Sequence, residues 1–551
     1  MPIRTFRDLA RGTAGPGTTD HPRLLELERQ LPARPPSFDA TTSVSWALAQ
    51  SMLALLLPCW AAHVVFRAGM SRVRRTPAIR ALQLALAVGV GLGLSSCTYF
   101  LWLVVCGKPD STFFVADATA WCLLAACCRA PGAAARAVPA PATPTANRML
   151  RLAIGWSFAM ALFIAIAGLV SETLAAPEGR WDARAIWNLR ARFLVLSGDE
   201  WRQAFAPTFD HIDYPLLVSA SIARWWTFLG HDAAWATAGI GSAFTLATVA
   251  VVVTLLGARR RWSLGLLAGI VLLGTVRFLR CGAAQYADVP LAFFMLATVA
   301  LLNLYDEQRN GEQRQANAPL SFGRLLALAG LTAGLAAWTK NEGLLFLAIT
   351  LAVRAAFAWR QCGFRQALRE CGCFLIGAVP PVLVLIVFKY QIPVTNDLIA
   401  SQGLSTTTRL LWDPLRHLSI WRGGWGGLLQ VAQAYLVVIP VCFLLLGRHR
   451  APAGDSRHLR FSAVVVGLML VGYYAAYLTT PYDLNWHLST SVDRLLVQLW
   501  PIAVLTAFWQ MRAPEDVCAA ILEKLDARPE HGVSLRKVDS NPPVIPYNQV
   551  L

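Results

Sequence analysis

Charged residues are scarce in this sequence. Of its 551 residues, 15% are Asp, Glu, Lys or Arg, 56% are hydrophobic, and the mean hydropathy is +0.48. A chain of this length with so few charged side chains has too little polar surface to fold in water, which excludes a soluble class of protein. A lipid bilayer is the solvent that this composition fits.

Three other sequence patterns are missing: the alternation of β-strands, the apolar core of a signal peptide, and paired CxxC motifs. Alternating strands do not occur, and continuous apolar runs such as residues 246–256 exclude an outer-membrane barrel. Residues 1–43 lack the apolar core of a secretory signal peptide, so we expect the first span to act as the insertion signal. Most of the 12 cysteines lie in apolar runs and no pair of CxxC motifs occurs, which argues against a disulfide framework or a zinc site.

Acidic residues are also few, with 32 Asp and Glu against 49 Lys and Arg, a formal net charge of +17. The basic residues lie mostly in short loops between apolar runs. This placement is typical of topology signals and of contacts with lipid headgroups. We therefore expect membrane lipids as partners and no nucleic acid.

Apolar runs of nearly the roughly 20 residues that a helix needs to cross a bilayer recur along the chain. They predict an all-α polytopic membrane protein with about thirteen spans, of which the third and eighth are the weakest. The predicted spans lie near residues 44–66, 82–105, 112–128, 150–170, 235–257, 263–279, 287–304, 324–338, 342–358, 373–388, 428–446, 461–479 and 494–510.

Arginine-rich loops follow the first, third and fifth predicted spans, and the positive-inside rule predicts that they are cytoplasmic. Alternation of the spans then assigns the amino terminus and the polar loops 171–234, 280–286, 339–341, 389–427 and 480–493 to the outer face. The predicted organisation is an outer segment 1–43, a three-span unit 44–128, an Ala/Pro-rich cytoplasmic linker 129–147, a core 148–510 and a cytoplasmic tail 511–551.

The first large outer loop contains WDARAIWNLRARFLVL, in which apolar residues recur at helical spacing. This pattern predicts an amphipathic helix at the membrane interface. Asp182 stands at its first turn, either as an N-cap or as a carboxylate at the mouth of the helix bundle, or as both. Further along, Asp210, His211 and Asp213 in FDHIDYPLL favour either a metal site or a solvated turn.

The later outer segments carry more ionisable residues at the ends of spans. Asp288, in YADVPLAFF, precedes a proline near a span entrance and serves either a polar cavity or an interfacial cap. Lys340 and Glu342, in WTKNEG, form either a turn with a snorkelling lysine or a cation directed at a phosphate. His487 and Arg494 lie before the last span, where an arginine offers a two-pronged donor to a phosphate.

Carboxylates, cations and aromatic residues thus gather on one aqueous face of a helix bundle. Sugar transfer from a polyprenyl phosphate needs these residue types. A carboxylate takes the proton of the acceptor hydroxyl, and the departing phosphate is stabilised either by cations or by a divalent metal ion such as Mg²⁺ or Mn²⁺. The lipid tail of such a donor would explain why the catalyst is embedded in a bilayer.

The order of these motifs resembles the GT-C superfamily of membrane glycosyltransferases, in particular protein O-mannosyltransferases and the aminoarabinose transferases of lipid A. WDARAIWNLRARFL resembles the family's first outer loop, which implies a catalytic carboxylate at Asp182. YADVPLAFF resembles its acidic-Pro-Leu segment and implies a second acid at Asp288, while TKNEG resembles its Thr-Lys turn and implies a phosphate contact at Lys340. Ala183 follows Asp182, whereas the family has an adjacent acidic pair.

The resemblance covers about residues 150–510 and implies an inverting glycosyltransferase that moves a sugar from a polyprenyl-phosphate donor to a glycan, lipid or protein acceptor. Arg494 is then a second phosphate contact, and His211, Asp213, Glu342 and His487 are candidate substrate-binding residues. The frequent Ala and Arg are typical of a bacterium with a GC-rich genome, so we expect the inner membrane with the active site facing the periplasm. The alternative is a transporter or flippase of lipid-linked glycans, although no internal repeat is found.

Overall fold

The computed structural model describes residues 44–128, 148–209, 211–312, 323–393, 409–449 and 457–526, together with Glu26 and residues 29–31. Throughout this part of the chain the backbone is helical, apart from turns and one isolated bridge between Arg448 and Met511. The predicted segment 1–43 and the tail 511–551 are described only in part. The linker 129–147 and Asp210 lie outside the described residues.

Among the described residues, nine helices are long and apolar enough to cross a membrane, and two bent pairs raise the number to eleven. The nine are α1 (Val44–Gly69), α2 (Pro77–Val105), α4 (Arg148–Ala175), α7 (Ala234–Arg259), α10 (Asp288–Glu312), α12 (Asn341–Cys362), α13 (Phe364–Gln391), α16 (Arg457–Thr479) and α17 (Leu484–Trp509). The bent pairs are α8 (Trp262–Gly274) with α9 (Val276–Ala283), and α14 (Pro414–Ala432) with α15 (Tyr435–Leu446).

Each of the thirteen predicted spans coincides with one of these helices or with one of two shorter ones. The third and eighth correspond to α3 (Ser111–Cys127) and α11 (Gly323–Thr339), each 17 residues long. A 17-residue helix is about 26 Å long, slightly less than the hydrocarbon thickness of a typical bilayer. The count of thirteen therefore stays a prediction, whereas the all-helical, multi-pass class is confirmed.

The apolar part of α10 is entirely buried and forms the centre of the bundle. It packs against α7, α11 and α17, and α11 in turn packs closely against α13. Glycine makes this last approach possible, because a Cβ on Gly377 would lie 1.7 Å from the Ala327 carbonyl oxygen and one on Gly330 would lie 1.8 Å from that of Phe374. Small residues bring helices of membrane proteins close together in this way. The result is a tightly packed α11–α13 pair beside α10.

Between α4 and α7 the chain forms four short helical segments. They are a π-helical turn Ala183–Trp187, α5 (Asn188–Leu196), a 3-10 segment Gly198–Phe205 and α6 (Leu217–Leu229). The π-helical turn and α5 cover the WDARAIWNLRARFLVL segment, and several of its polar residues are buried as well as its apolar ones; Arg192 pairs with Glu178 and Asp232. The amphipathic character of this segment and its position at the membrane interface stay predictions.

The three helices before the linker pack on the rest of the protein. Helix α2 contacts α6 and α7. Arg224 of α6 donates to both carboxylate oxygens of Asp117 in α3, at 3.0 and 2.5 Å, and to the Ala54 carbonyl oxygen of α1. Both side chains of this ion pair are buried. After the last span, the chain forms one more short helix, α18 (Pro514–Asp526).

Candidate functional site

Four distant segments bring their charged side chains together at one end of the bundle. Arg494 of α17 donates to Asp182 at 2.5 Å and to Asp288 at 3.0 Å. Lys340, between α11 and α12, lies 3.0 Å from both Asp288 and Glu342. Five of the predicted site residues thus form one chain of ion pairs, Asp182, Arg494, Asp288, Lys340 and Glu342, which we call the ionic network.

Asp288 is the most constrained member of the ionic network. It begins α10 and its side chain is fully buried. One carboxylate oxygen accepts from Lys340 and from the Gln498 amide at 2.6 Å, and the other accepts from Arg494. A carboxylate that loses its water is stable only when its lone pairs are bonded, and these three donors meet that need. Asp288 is therefore part of a polar interior and its carboxylate has little capacity left for other partners.

Asp182 has a different environment from Asp288. Its backbone is helical and its side chain makes no capping hydrogen bond, so the N-cap alternative is wrong. The side chain is 14% exposed, and the neighbouring Trp181 is 38% exposed. The bond to Arg494 engages one of its two carboxylate oxygens. Of the two acids that contact Arg494, Asp182 is consequently the one that a molecule from outside can reach, since Asp288 is fully buried.

Lys340 does not snorkel. Its side chain is only 4% exposed, and the amine lies 5.7 Å from the centroid of the Tyr214 ring. Burial by itself lowers the pKa of the Lys340 amine, but the adjacent Asp288 and Glu342 carboxylates outweigh it, and the net direction is upward. Lys340 therefore carries its positive charge at any physiological pH. Glu342, with 21% of its side chain exposed, forms the outer end of the ionic network.

Arg494 lies on an aromatic platform. The centre of its guanidinium is 4.5 Å from the centroid of the Tyr286 ring, a distance at which cation and ring attract each other. Burial raises the pKa of the Tyr286 hydroxyl to about 12, with the Asp182 carboxylate adding to the shift and Arg494 opposing it. The residue before Arg494, Asp493, pairs with Arg277 of α9. The guanidinium of Arg494 is thus held by the Tyr286 ring and by the carboxylates of Asp182 and Asp288.

His211 and Asp213 border the ionic network through Tyr214. The His211 ring stacks on that of Tyr214 at 4.7 Å between centroids, and burial raises the pKa of the Tyr214 hydroxyl. Asp213 is buried, and its carboxylate accepts from the Asn341 amide at 2.6 Å. Its carbonyl oxygen accepts from Lys389 at 2.5 Å. Asp213 therefore ties three segments together, which suits a residue that positions the site.

His487 lies beside this group and is partly buried. Its Nδ1 is 3.0 Å from the Thr480 hydroxyl, and its ring meets that of Tyr477 edge to face at 4.8 Å. It interacts electrostatically with His211 and Glu342. All eight predicted site residues thus lie in one region, while their roles stay predictions.

Within the described part of the chain, no group of three or more His, Cys, Asp or Glu is close enough to hold a metal ion. The accessible carboxylates face cations instead, since Asp182 contacts Arg494 and Glu342 contacts Lys340. Asp210, one part of the predicted metal motif, lies outside the described residues. Lys340 and Arg494 are the cations that contact the carboxylates of the ionic network.

Sequence reasoning missed three residues of the site. Gln498 lies four positions after Arg494 and so on the same helix face, and that spacing could have revealed it. Tyr286 lies two positions before Asp288, and Asn341 directly follows Lys340, so both belong to the charged motifs YADVPLAFF and WTKNEG. Tyr473 of α16 extends the region, because its hydroxyl donates to Gln498 at 2.6 Å.

Comparisons with protein-family profiles, with curated proteins and with solved structures gave no match to this chain.

Proposed function

We propose that this protein is a membrane glycosyltransferase that moves a sugar from a polyprenyl-phosphate-linked donor to an acceptor on the outer face of the membrane. The observation that carries the proposal is the ionic network, in which an accessible carboxylate at Asp182 lies against a cation at Arg494. Hydroxyl activation and phosphate departure need such a base and such a cation within a few ångströms of each other.

In the proposed reaction, the Asp182 carboxylate accepts the proton of an acceptor hydroxyl while the hydroxyl oxygen attacks the anomeric carbon of the donor sugar. The new carbon–oxygen bond forms on the face opposite the phosphate. The old bond breaks and its electron pair stays on the phosphate oxygen. The products are the glycosylated acceptor, with inverted anomeric configuration, and a polyprenyl phosphate, or the diphosphate if the donor carries one.

Arg494 is the cation proposed to meet the donor phosphate, because its side chain is 14% exposed whereas that of Lys340 is 4% exposed. A phosphate that binds Arg494 would replace Asp182 as a partner of the guanidinium and so release that carboxylate to act as base. Lys340 holds Asp288 in place, and Asp288 in turn holds Arg494. Asp288 and Lys340 are thus proposed as positioning residues, with Lys340 adding positive charge near the phosphate.

The resemblance to the GT-C superfamily belongs to the same proposal, with thirteen spans, a core over residues 148–510 and the loop helix near the interface. It is supported by the site lying at the start of α10 and α12 and in the first half of α17, all at one end of the bundle. Arginine-rich loops such as residues 67–80 and 259–261 lie at the other end. The positive-inside rule then orients the site toward the periplasm of a bacterial inner membrane.

A flippase of lipid-linked glycans is the second candidate, because two spans are broken by 66° and 67°. Broken helices are typical of transporters, where they line a substrate path near the midplane. The first break supports the site instead: Thr275, at the break, accepts from the Trp500 indole at 3.0 Å, and α9 carries Arg277 to Asp493. We therefore favour the transferase.

The test is sugar transfer from a panel of radiolabelled polyprenyl-phosphate sugars by the purified full-length protein, with and without a chelator. Asp182→Asn should fold and lose at least about a hundredfold in rate, the usual scale for loss of a general base. The matched control is Asp199→Asn, an exposed acid in the same outer segment whose carboxylate accepts from the Lys108 backbone N–H. Equal rates in the two variants would remove Asp182 from the mechanism. Lipid-glycan movement in vesicles without transfer would favour the flippase.

A further inference from the structure

A cleft with a volume of about 350 Å³ lies between the end of α1 and the beginning of α2. It is lined by His63, Arg67, Arg75, Arg80, Gln83 and Leu84, and we call it the basic cleft. Three arginines and a histidine share one small space there. The ionic network and the proposed function use none of these residues.

Within the described part of the chain, no carboxylate pairs with the arginines of the basic cleft. No Asp or Glu occurs between residues 40 and 109 of the sequence. Among the described residues, none forms an ion pair with Arg67, Arg75 or Arg80. Like charges held this close repel one another, so the arrangement favours an anion between them.

The basic cleft lies at the end of the bundle away from the ionic network. Arg324, at the start of α11, donates to the Ala68 carbonyl oxygen near the end of α1 at 3.5 Å, whereas the other end of α11 is followed by Lys340. The 17 residues of α11 separate the two regions by about 26 Å. The cleft therefore lies where the bilayer surface of the predicted cytoplasmic face should be.

The lining combines two chemistries. The arginines offer several N–H donors in the fork geometry that suits a phosphate. Gln83, whose side chain is 6% exposed, adds an amide to the wall. Leu84 is 55% exposed one turn below Arg80, and Trp60 on α1 is 42% exposed, so apolar surface continues from the cleft toward the membrane interior. A free phosphate would use the charges alone, whereas a phospholipid would use both surfaces.

We propose that the basic cleft is a binding site for an anionic phospholipid of the cytoplasmic leaflet, with the headgroup phosphate bound by Arg67, Arg75 and Arg80 and an acyl chain lying along Leu84. A lipid held there joins α1 to α2 at their charged ends. The site is separate from the proposed transferase site, so its occupancy does not depend on whether that proposal is right.

The test compares two double variants of the full-length protein in lipid nanodiscs. Arg75→Gln/Arg80→Gln removes two charges from the basic cleft, and Arg72→Gln/Arg74→Gln removes two from the same loop outside it. Both variants change the topology signal equally. Retention of phosphatidylglycerol or phosphatidylcholine through purification, measured by native mass spectrometry, is the readout, with inorganic phosphate as a competitor.

The wild-type protein and Arg72→Gln/Arg74→Gln should retain phosphatidylglycerol in preference to phosphatidylcholine, and Arg75→Gln/Arg80→Gln should bind it about 25-fold more weakly, at about fivefold for each arginine. Equal loss in both variants would mean a diffuse surface charge and would overturn the site. Retention of both lipids to the same extent by the wild-type protein would also overturn it. Displacement of the lipid by millimolar inorganic phosphate would assign the cleft to free phosphate instead of a lipid.

Discussion

Lys340 donates to Asp288 at 3.0 Å across 52 positions of sequence, and both side chains are buried. The pair connects the start of α12 to the start of α10, and Arg494 extends the connection to α17 and to the loop before α5. Two cations and three carboxylates alternate along the ionic network. Each charge therefore depends on its neighbours for its stability, and single substitutions should differ sharply in effect.

Asp288→Asn should be far more destabilising than Asp182→Asn. The first leaves Lys340 and Arg494 in a buried setting with their shared counter-ion removed, at an expected cost of about 3–5 kcal/mol. The second removes a partly exposed partner from Arg494, which keeps Asp288, and should cost about 1 kcal/mol or less. Thermal unfolding of both variants in detergent measures the difference. Equal stabilities would contradict the burial that the structure gives to Asp288.

Neutralising both members of the buried pair should recover part of the loss. Lys340→Met alone leaves Asp288 with one cation fewer, and Asp288→Asn alone leaves Lys340 facing only Glu342. In the double variant neither charge is left uncompensated by its partner, so the double-mutant cycle should give a coupling of about 1–3 kcal/mol. Simple additivity of the two losses would mean that Lys340 and Asp288 do not stabilise each other.

The sequence predicts the helical class, the approximate place of each span and the eight site residues from ionisable groups at the ends of apolar runs. It does not predict which charges pair. The bond from Arg494 to Asp182 spans 312 positions, and many carboxylates in the outer loops could have met that arginine equally well. Pairing follows from how α10, α12 and α17 pack, and helix packing depends on side-chain shape, which a hydropathy pattern does not contain.

Two local features of the structure are not predicted from the sequence, for different reasons. The break at Thr275 has extended backbone angles inside a run of apolar residues and no proline beside it, so the sequence predicts one straight span over 263–279. Gln498 is an isolated amide in an apolar helix, and because it is uncharged it is not found by a search for ionisable groups. Both features serve the site, because the break aims Arg277 at Asp493 and Gln498 bonds to Asp288. Local departures from a regular pattern are expected at functional sites.

Tyr286→Phe should retain most of the activity, and the pH dependence should not report the Tyr286 hydroxyl. The ring that supports Arg494 remains in this variant, whereas Tyr286→Leu removes it and should lower the rate of transfer. With its pKa raised to about 12, Tyr286 stays neutral in the folded protein. Its contribution to stability is complete below the ordinary tyrosine pKa and is lost only as the pH rises from about 10 to about 12.

Rate profiles of the wild-type protein and Tyr286→Phe between pH 6 and 9 should therefore have the same shape. The raised pKa of Lys340 has the same consequence, because that amine stays protonated over this whole range. A basic limb that appears in the wild-type profile and disappears in Tyr286→Phe would show that the hydroxyl titrates near neutrality and would contradict this account.

Arg224→Met should loosen the attachment of the first three helices to the rest of the bundle. The substitution leaves the Asp117 carboxylate buried with the Trp121 indole, at 3.1 Å, as its remaining donor. A cost of about 3–5 kcal/mol is expected from an uncompensated buried charge, and Arg224→Met combined with Asp117→Asn should recover part of it. Limited proteolysis within residues 129–147 followed by size-exclusion chromatography would show whether the two parts separate. Unchanged stability in Arg224→Met would mean that the three-helix unit is held by apolar packing alone.

Arg494→Lys should impair catalysis more than folding. The guanidinium reaches Asp288 through Nε and Asp182 through Nη2, whereas a single ammonium on a shorter side chain cannot span both carboxylates. Because the positive charge remains, Asp288 keeps a compensated environment and the unfolding temperature should fall by only a few degrees.

Transfer should fall about a hundredfold, with part of the loss in KM for the lipid-linked donor, since the cation proposed to bind the phosphate is displaced. Lys340→Arg is the matched control. It also exchanges one cation for another, but at a residue that is not proposed to bind the phosphate directly, so it should change the KM for the donor little. A larger rise in donor KM for Lys340→Arg than for Arg494→Lys would assign the phosphate to Lys340.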